Sequence, residues 1–186
     1  MSDERLLERR LDASIAAVES LRGQLAHVAE IIDVIRKRLT AGGTVYTAGN
    51  GGSAAQSLHL AEELIGRYRG DRPALRALCL NADPTALTCI ANDFGFDQVF
   101  ARQCEALLTP KDVLVVLSTS GNSSNIIRAL EVSRDKDCTS IGLLGKDGGL
   151  CRSLCDHSLV MASHDSAHIQ EAHQVIIHMI CEAFER

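Results

Sequence analysis

His59 and Glu63 stand four residues apart in the stretch SLHLAEEL. On a helix that is one turn, so the imidazole and the carboxylate share a face. Such a pair can offer two ligands to a metal ion or can move a proton between oxygen and carbon; the bland alternative is a solvated surface contact. A second set of polar residues lies in HIQEAHQVIIHMICEAF, a mostly apolar run that still holds His168, Gln170, Glu171, His173, Gln174 and His178. Gln170 and His178 are separated by about 80° around a helix, so both can lean toward one point on the same side. For each histidine of this run the alternative is a core or interface imidazole satisfied by one hydrogen bond.

Two loops of small residues add a different chemistry. AGNGGS spans 48–53 and includes Asn50, Gly51, Gly52 and Ser53; STSGNSS spans 118–124 and includes Ser118, Thr119, Ser120 and Ser123. Small side chains let backbone N–H groups close on an anion, and a helix starting just after such a loop adds unpaired donors and a positive dipole end. The simpler reading of the second loop is that Ser123 caps a helix and the rest is turn chemistry. Neither loop carries GxGxxG or GK[ST], so no nucleotide cofactor is expected.

The elements that must position these residues are legible from periodicity. Five short β-rich runs, TVYTA, ALRALCL, DVLVVLS, TSIGLL and HSLVMA, read as strands. Helical stretches begin near Ser53, Pro84, Ser123 and Gly149, and a last one runs from about Ala167 to Phe184. Strands alternating with helices predict an α/β fold: a doubly wound, five-stranded parallel sheet covered on both faces, with ligands bound beyond the carboxyl ends of the strands. Residues 1–40 form an N-terminal helical extension of the same domain, ahead of an α/β unit at 41–186. In that extension Val18, Leu21, Leu25, Val28, Ile32, Ile35 and Leu39 alternate three and four apart, with Gly23 as the weak point. The seam either covers its own domain or builds a bundle between subunits, and its regularity leans toward the bundle.

Composition removes several classes. The formal charge is −5 with no run of Lys or Arg, which argues against nucleic acid as a partner. Seven cysteines, odd in number and without a CxxC pair, suit buried reduced thiols. The charged start MSDERLLERR is no secretory signal, and no apolar run is long enough for a bilayer, so a cytoplasmic protein without membrane partners is expected.

Taken together, GNGGSAAQSLHLAEELIGRYR, ANDFGFDQVFARQ, STSGNSSNIIRALE, GKDGG and IQEAHQVIIH resemble the sugar isomerase (SIS) domain family, and within it the phosphoheptose isomerases. The resemblance rests on five motifs in order over nearly the whole chain. It implies that Ser118, Thr119, Ser120 and Ser123 hold a sugar phosphate, with Asn50, Gly51, Gly52 and Ser53 facing the same substrate. It further implies one zinc ion per subunit held by His59, Glu63, Gln170 and His178. Arg67, Asn92, Asp93 and Gln170 match further pocket residues of the family. A homotetramer acting on a phosphorylated seven-carbon sugar, with its N-terminal helices as a central bundle and active sites at subunit interfaces, is implied as well.

Interconverting a ketose and an aldose moves a proton between C1 and C2 through an enediolate, which needs a base for carbon, a shuttle for oxygen and an oxyanion stabiliser. The expected reaction turns sedoheptulose 7-phosphate into D-glycero-D-manno-heptose 7-phosphate, the first step toward nucleotide-activated heptose. Glu63 takes the carbon proton and His178 the complementary acid/base role. A zinc-bound glutamate is a poorer base than a free one, so either Glu63 leaves the metal during turnover or the metal mainly organises the site. Two departures from the family stand out: Ala167 and His168 replace an Asp-Arg pair found in several members, and AAQSL lacks a histidine and cysteine that some carry. A relative with the same fold is a tetrameric scaffold for the bacterial replication initiator protein. It lacks the counterparts of Glu63 and His178 and has a disrupted DFGF, all intact here. An isomerase of another phosphosugar is the third possibility.

Overall fold

The computed structural model describes residues 3–185. Five strands, β1 (Val45–Gly49), β2 (Ala77–Cys79), β3 (Val113–Ser118), β4 (Thr139–Gly145) and β5 (His157–Met161), form one sheet in the order β2-β1-β3-β4-β5. Every pairing is parallel, with Val45 opposite Ala77 and Val113, Val113 opposite Thr139, and Ile141 opposite His157. The doubly wound α/β sheet is thus as the alternation of strands and helices predicts.

Helices cover both faces: α1 (Asp3–Glu19), α2 (Leu25–Thr40), α3 (Gly52–Ile65), α4 (Pro84–Phe94), α5 (Ala101–Leu107), α6 (Ser124–Asp135), α7 (Gly149–Leu154) and α8 (Ser166–Ala183). Successive strand residues point to opposite faces, so β3 divides its side chains between two cores. Val113, Val115 and Leu117 pack with α2, α3 and α8, whereas Leu114 and Val116 pack with Phe100, Ile126 and Leu130 on the other side. Burying both faces explains why β1, β3 and β4 read as continuous apolar runs with no alternation.

Three local departures have physical reasons. Of ALRALCL only Ala77–Cys79 pairs, because this is an edge strand with a single partner. The stretch after α4 turns at Gly95, with φ of 90°, then makes a 3₁₀ turn at Phe96–Gln98 and the short helix α5, which the motif-based reading leaves unassigned. The N-terminal extension is two helices joined by a 3₁₀ turn at Ser20–Gln24 that contains Gly23. This turn splits the apolar seam. Leu21, Val28 and Ile35 are buried in the protein's own core, together with Ile31, and Ile32 and Leu39 pack against it, so α2 covers its own domain. The exposed apolar side chains lie instead on α1, at Leu6, Leu7, Leu11 and Ile15, and at Leu25.

Thiols behave largely as composition suggests: all seven are free, five are buried and Cys155 is half-buried, but Cys89 is exposed on α4. Burial pushes the Cys104 thiol up to about 12. Among the described residues no helix is long and apolar enough to cross a membrane.

The last helix begins with Asp165, whose carboxylate accepts from the N–H of Ala167 at 2.8 Å, a cap worth about 1 kcal/mol. It buries Ile169, Ala172, His173, Ile176, Ile177 and Ile180. His173 is fully buried, and its Nε2–H donates to the carbonyl of Leu144 at 3.1 Å. Burial lowers its pKa from 6.5 to about 4, because the core admits only the neutral ring. The contribution to stability is therefore fully present above pH 6.5 and is lost as the pH falls toward 4. Denaturant unfolding at about pH 7 and about pH 4 should show roughly 3 kcal/mol more loss in the native chain than in His173→Gln, which cannot titrate.

Candidate active site

In the order β2-β1-β3-β4-β5 the chain runs outward from β1 to β2, then crosses back over β1 to β3 and continues the other way to β4 and β5. The crevice beyond the carboxyl ends of β1 and β3 is the switch point at which such sheets bind ligands. Both small-residue loops open there. The first leaves β1 through Gly51, which takes φ of 56° and starts α3 with no side-chain cap. A Cβ on Gly52 would fall 2.7 Å from the side-chain nitrogen of Gln170, so the missing side chain lets α8 lay Gln170 directly over this loop. Ser53 is buried behind it.

The second loop is folded by its own hydroxyls. Ser118 Oγ accepts from Gly121 N–H at 3.1 Å, and Ser120 Oγ accepts from Asn122 N–H at 3.2 Å. Ser166 Oγ donates to Thr119 Oγ1 at 3.2 Å, tying the loop to the start of α8. Ser123 occupies the cap position of α6, yet its side chain makes no capping bond, so that hydroxyl is spared for another partner. Gly121, with φ of 63°, packs against the GKDGG turn, and its carbonyl accepts from Cys151 N–H at 2.9 Å.

Beside the crevice α3 and α8 bring three of the four expected ligands together. His59 Nε2 lies 3.2 Å from Glu63 Oε1, and the His59 and His178 rings are 5.4 Å apart between centroids. The Glu63 side chain is only 16% exposed. Gln170, two turns before His178, rests over Gly52 at the start of α3. Between them on the same row sits Gln174, whose amide nitrogen lies 2.9 Å from His178 Nε2. Gln56 of α3 locks the row by donating to Gln170 O at 2.7 Å. Tyr68 closes the outer side, its ring 5.6 Å from that of His178.

The residues fit a metal ion. His59 Nε2 is buried and, although 3.2 Å from Glu63 Oε1, is not aligned for a hydrogen bond, which is costly for an imidazole unless something else meets this nitrogen. Ligand atoms of His59, Glu62 and Glu63 lie within 4.8 Å of one another, so Glu62, exposed and one residue before Glu63, is a further oxygen donor at this place.

Three further expected pocket residues, Arg67, Asn92 and Asp93, are exposed. α3 stops at Ile65, where Gly66 N–H bonds back to Glu62 O, so Arg67 is off the helix. Asn92 and Asp93 are exposed at the end of α4, Asn92 donating to Asp93 at 2.8 Å. Ala167 is exposed, whereas His168 is half-buried, 4.0 Å from Asp165. Gln174 belongs to the polar set of the α8 run but has no expected ligand or pocket role, and Tyr68 is outside the expected site residues. The i, i+4, i+8 row of Gln170, Gln174 and His178 could have pointed to the first; nothing in the order of residues points to Tyr68, which returns to His178 through an irregular turn.

That turn is anchored from two sides. Arg72 donates to the carbonyls of Glu63 and Leu64 at 2.7 and 3.0 Å, and pairs with Glu185 at 3.1 Å. Glu185 also accepts from Arg69 and Gly70 N–H groups, and the Gly70 and Arg72 bonds hold its carboxyl below the usual range.

Comparison with known proteins agrees with this architecture. The family model of the SIS domain matches residues 11–145. The phosphoheptose isomerase of Trichlorobacter lovleyi is 41% identical over 181 residues, 97% of this chain and 92% of that protein. Among solved structures, phosphoheptose isomerase from Neisseria gonorrhoeae superposes with a TM-score of 0.92 at 35% identity, over 97% of each chain. The phosphoheptose isomerase structure from Francisella tularensis gives 0.96 at 31% identity, over 100% of this chain and 99% of that one. With the family's domain across most of its length and relatives this similar from end to end, the chain belongs to the SIS domain family and, within it, to the phosphoheptose isomerases.

Proposed function

We propose that the protein is an aldose–ketose isomerase that converts sedoheptulose 7-phosphate to D-glycero-D-manno-heptose 7-phosphate in the cytoplasm, supplying heptose for nucleotide activation. The packing of α3 on α8 carries this reading, because it sets the His178 imidazole beside the His59–Glu63 pair, next to two loops suited to an anion. The phosphate is held by Ser118, Thr119, Ser120 and Ser123, with the N-terminus of α6 supplying N–H donors. Asn50, Gly51, Gly52 and Ser53 border the sugar, and Gln170 reaches it over Gly52. Glu63 removes the proton from C1 of the open-chain ketose and returns it at C2. His178 takes the proton of the C1 hydroxyl and gives it to the C2 oxygen, so the net change is the shift of two hydrogens within the sugar. A zinc ion held by His59, Glu63, Gln170 and His178 supplies stabilisation of negative charge on the substrate oxygens when bound. Tyr68, on the turn at 66–72, flanks this corner on the His178 side.

The apolar face of α1 supports a homotetramer. Leu7 and Leu11 are 67% and 61% exposed, and a groove of about 760 Å³ between α1 and α8 is lined by Ile15, Val18, Leu25, Val175 and Met179 next to His178. Arg10 pairs with Glu171 across these helices, fixing the face that a second copy meets. The double substitution Leu11→Glu, Ile15→Glu should lower the mass in light scattering and the activity together; unchanged mass would count against α1 as the interface.

The test of function is conversion of sedoheptulose 7-phosphate by the purified protein, before and after chelation and after return of zinc. Conversion that falls on chelation and recovers with zinc is expected. A folded, zinc-loaded protein that leaves the ketose untouched would overturn the reading.

A further inference from the structure

Three asparagine amides run across the carboxyl edge of the sheet. Asn81, just after β2, brackets one residue of β1: Gly49 N–H donates to its Oδ1 at 3.1 Å, and its Nδ2 donates to Gly49 O at 2.9 Å. The next residue, Asn50, exchanges two bonds with Asn125. Asn50 Nδ2 donates to Asn125 Oδ1 at 2.8 Å, and Asn125 Nδ2 donates to Asn50 Oδ1 at 2.9 Å. Asn125 is the second residue of α6, directly behind the serine-rich loop, and is 1% exposed.

Its neighbours on the buried face of α6 are Ile126, Ala129, Leu130 and Ser133. An amide in that row costs stability unless both its ends are matched, and here Asn50 matches both. A carboxamide offers two N–H donors and two carbonyl lone pairs. The cyclic pair uses one of each on either residue. Asn50 therefore cannot rotate about its last bond without breaking both contacts, and it keeps one N–H and one lone pair on the edge turned away from Asn125. The pair also spans the switch point itself, joining the loop after β1 to the helix that follows the loop after β3.

We propose that Asn125 is a positioning residue for phosphosugar binding. It fixes the direction in which Asn50 presents its remaining donor and acceptor, and it holds the 48–53 and 118–124 loops at one spacing, so that sugar and phosphate are gripped at once. The inference rests on the isomerase reading above, in which Asn50 borders the sugar.

A double-mutant cycle on sedoheptulose 7-phosphate turnover separates positioning from ordinary structure. Asn125→Ala should raise KM roughly tenfold, the loss of about one well-formed hydrogen bond to substrate, with kcat changed by less than about threefold. In an Asn50→Ala background the same substitution should add less than about twofold, because a residue that acts through Asn50 has nothing left to position. Asn125→Asp keeps the volume and the acceptor but cannot donate to Asn50 Oδ1, and should raise KM in the same direction if the alanine variant folds poorly. Multiplying effects in the double variant, or an unchanged KM in both single variants at position 125, would overturn the proposal. The Asn50 side-chain amide signals in a nitrogen-15 spectrum of the unliganded protein give a readout that needs no turnover. They should move in both variants at position 125, and signals that stay in place would also overturn it. Failure of the native protein to convert the sugar would count against the isomerase reading alone, because those signals report the Asn50–Asn125 contact regardless of substrate.

Discussion

Glu63→Gln is expected to lower kcat by about a thousandfold while leaving the melting temperature within a few degrees of the native value. Glutamine matches the carboxylate in shape but cannot take a proton from carbon. The fold has little reason to notice the change: the side chain meets His59 in a partly wet pair, and the backbone at position 63 is held independently, by Arg72 on its carbonyl. Metal content of the variant resolves the tension between base and ligand. A variant that retains zinc and loses turnover makes Glu63 chiefly a base, whereas loss of zinc along with turnover makes its oxygen a ligand the site depends on. Near-native turnover would remove Glu63 from the mechanism.

Gly121→Ala should be the most damaging single methyl in the chain. Its Cβ would lie 2.0 Å from the carbonyl oxygen of Gly148 and 2.3 Å from the carbonyl carbon, both backbone atoms that no rotamer change can move. The residue also sits at φ of 63°, where an L side chain costs about 1–2 kcal/mol on its own. Relief requires the serine-rich loop to part from the GKDGG turn, which breaks the bond from Cys151 N–H to Gly121 O. A loss of more than about 3 kcal/mol is expected, seen as a fall in melting temperature of roughly 6–12 °C, with a raised KM as the loop shifts. Gly42→Ala is the control. It shares positive φ, at 82°, but nothing lies within 4 Å of its Cβ, so only the backbone cost of about 1 kcal/mol should appear. Equal losses in the two variants would show that conformation, and not crowding, decides at Gly121.

Much of the framework is legible in the order of residues because it depends on local pattern. β1, β3 and β4 announce themselves as β-rich apolar runs, and the pairing of His59 with Glu63 follows from one helical turn. What escapes is set by tertiary contact. The seam from Val18 to Leu39 reads as one surface until the 3₁₀ turn at Ser20–Gln24 sends Val28 and Ile35 inward and leaves the apolar side chains of α1 outside. The short helix α5 hides in a stretch with no clear period. Asn125 looks like one more polar residue after a serine-rich turn; only the crossing of two loops brings it to Asn50. The amide of Gln174 lies between the two residues expected from α8, and its bond to His178 depends on how side chains stack along one row.

Because His59 and Glu63 ride on α3 while His178 rides on the helix that closes the sheet, the site has no earlier assembly stage. A growing polypeptide carries His59, Glu63 and both small-residue loops long before it has His178. The same final helix brings Ile169, Ile176, Ile177 and Ile180 to the core, so chemical competence and closure of the apolar layer arrive in one event. Synthesis of α8 thus sets both the moment at which His178 joins His59 and Glu63 and the moment at which the core closes.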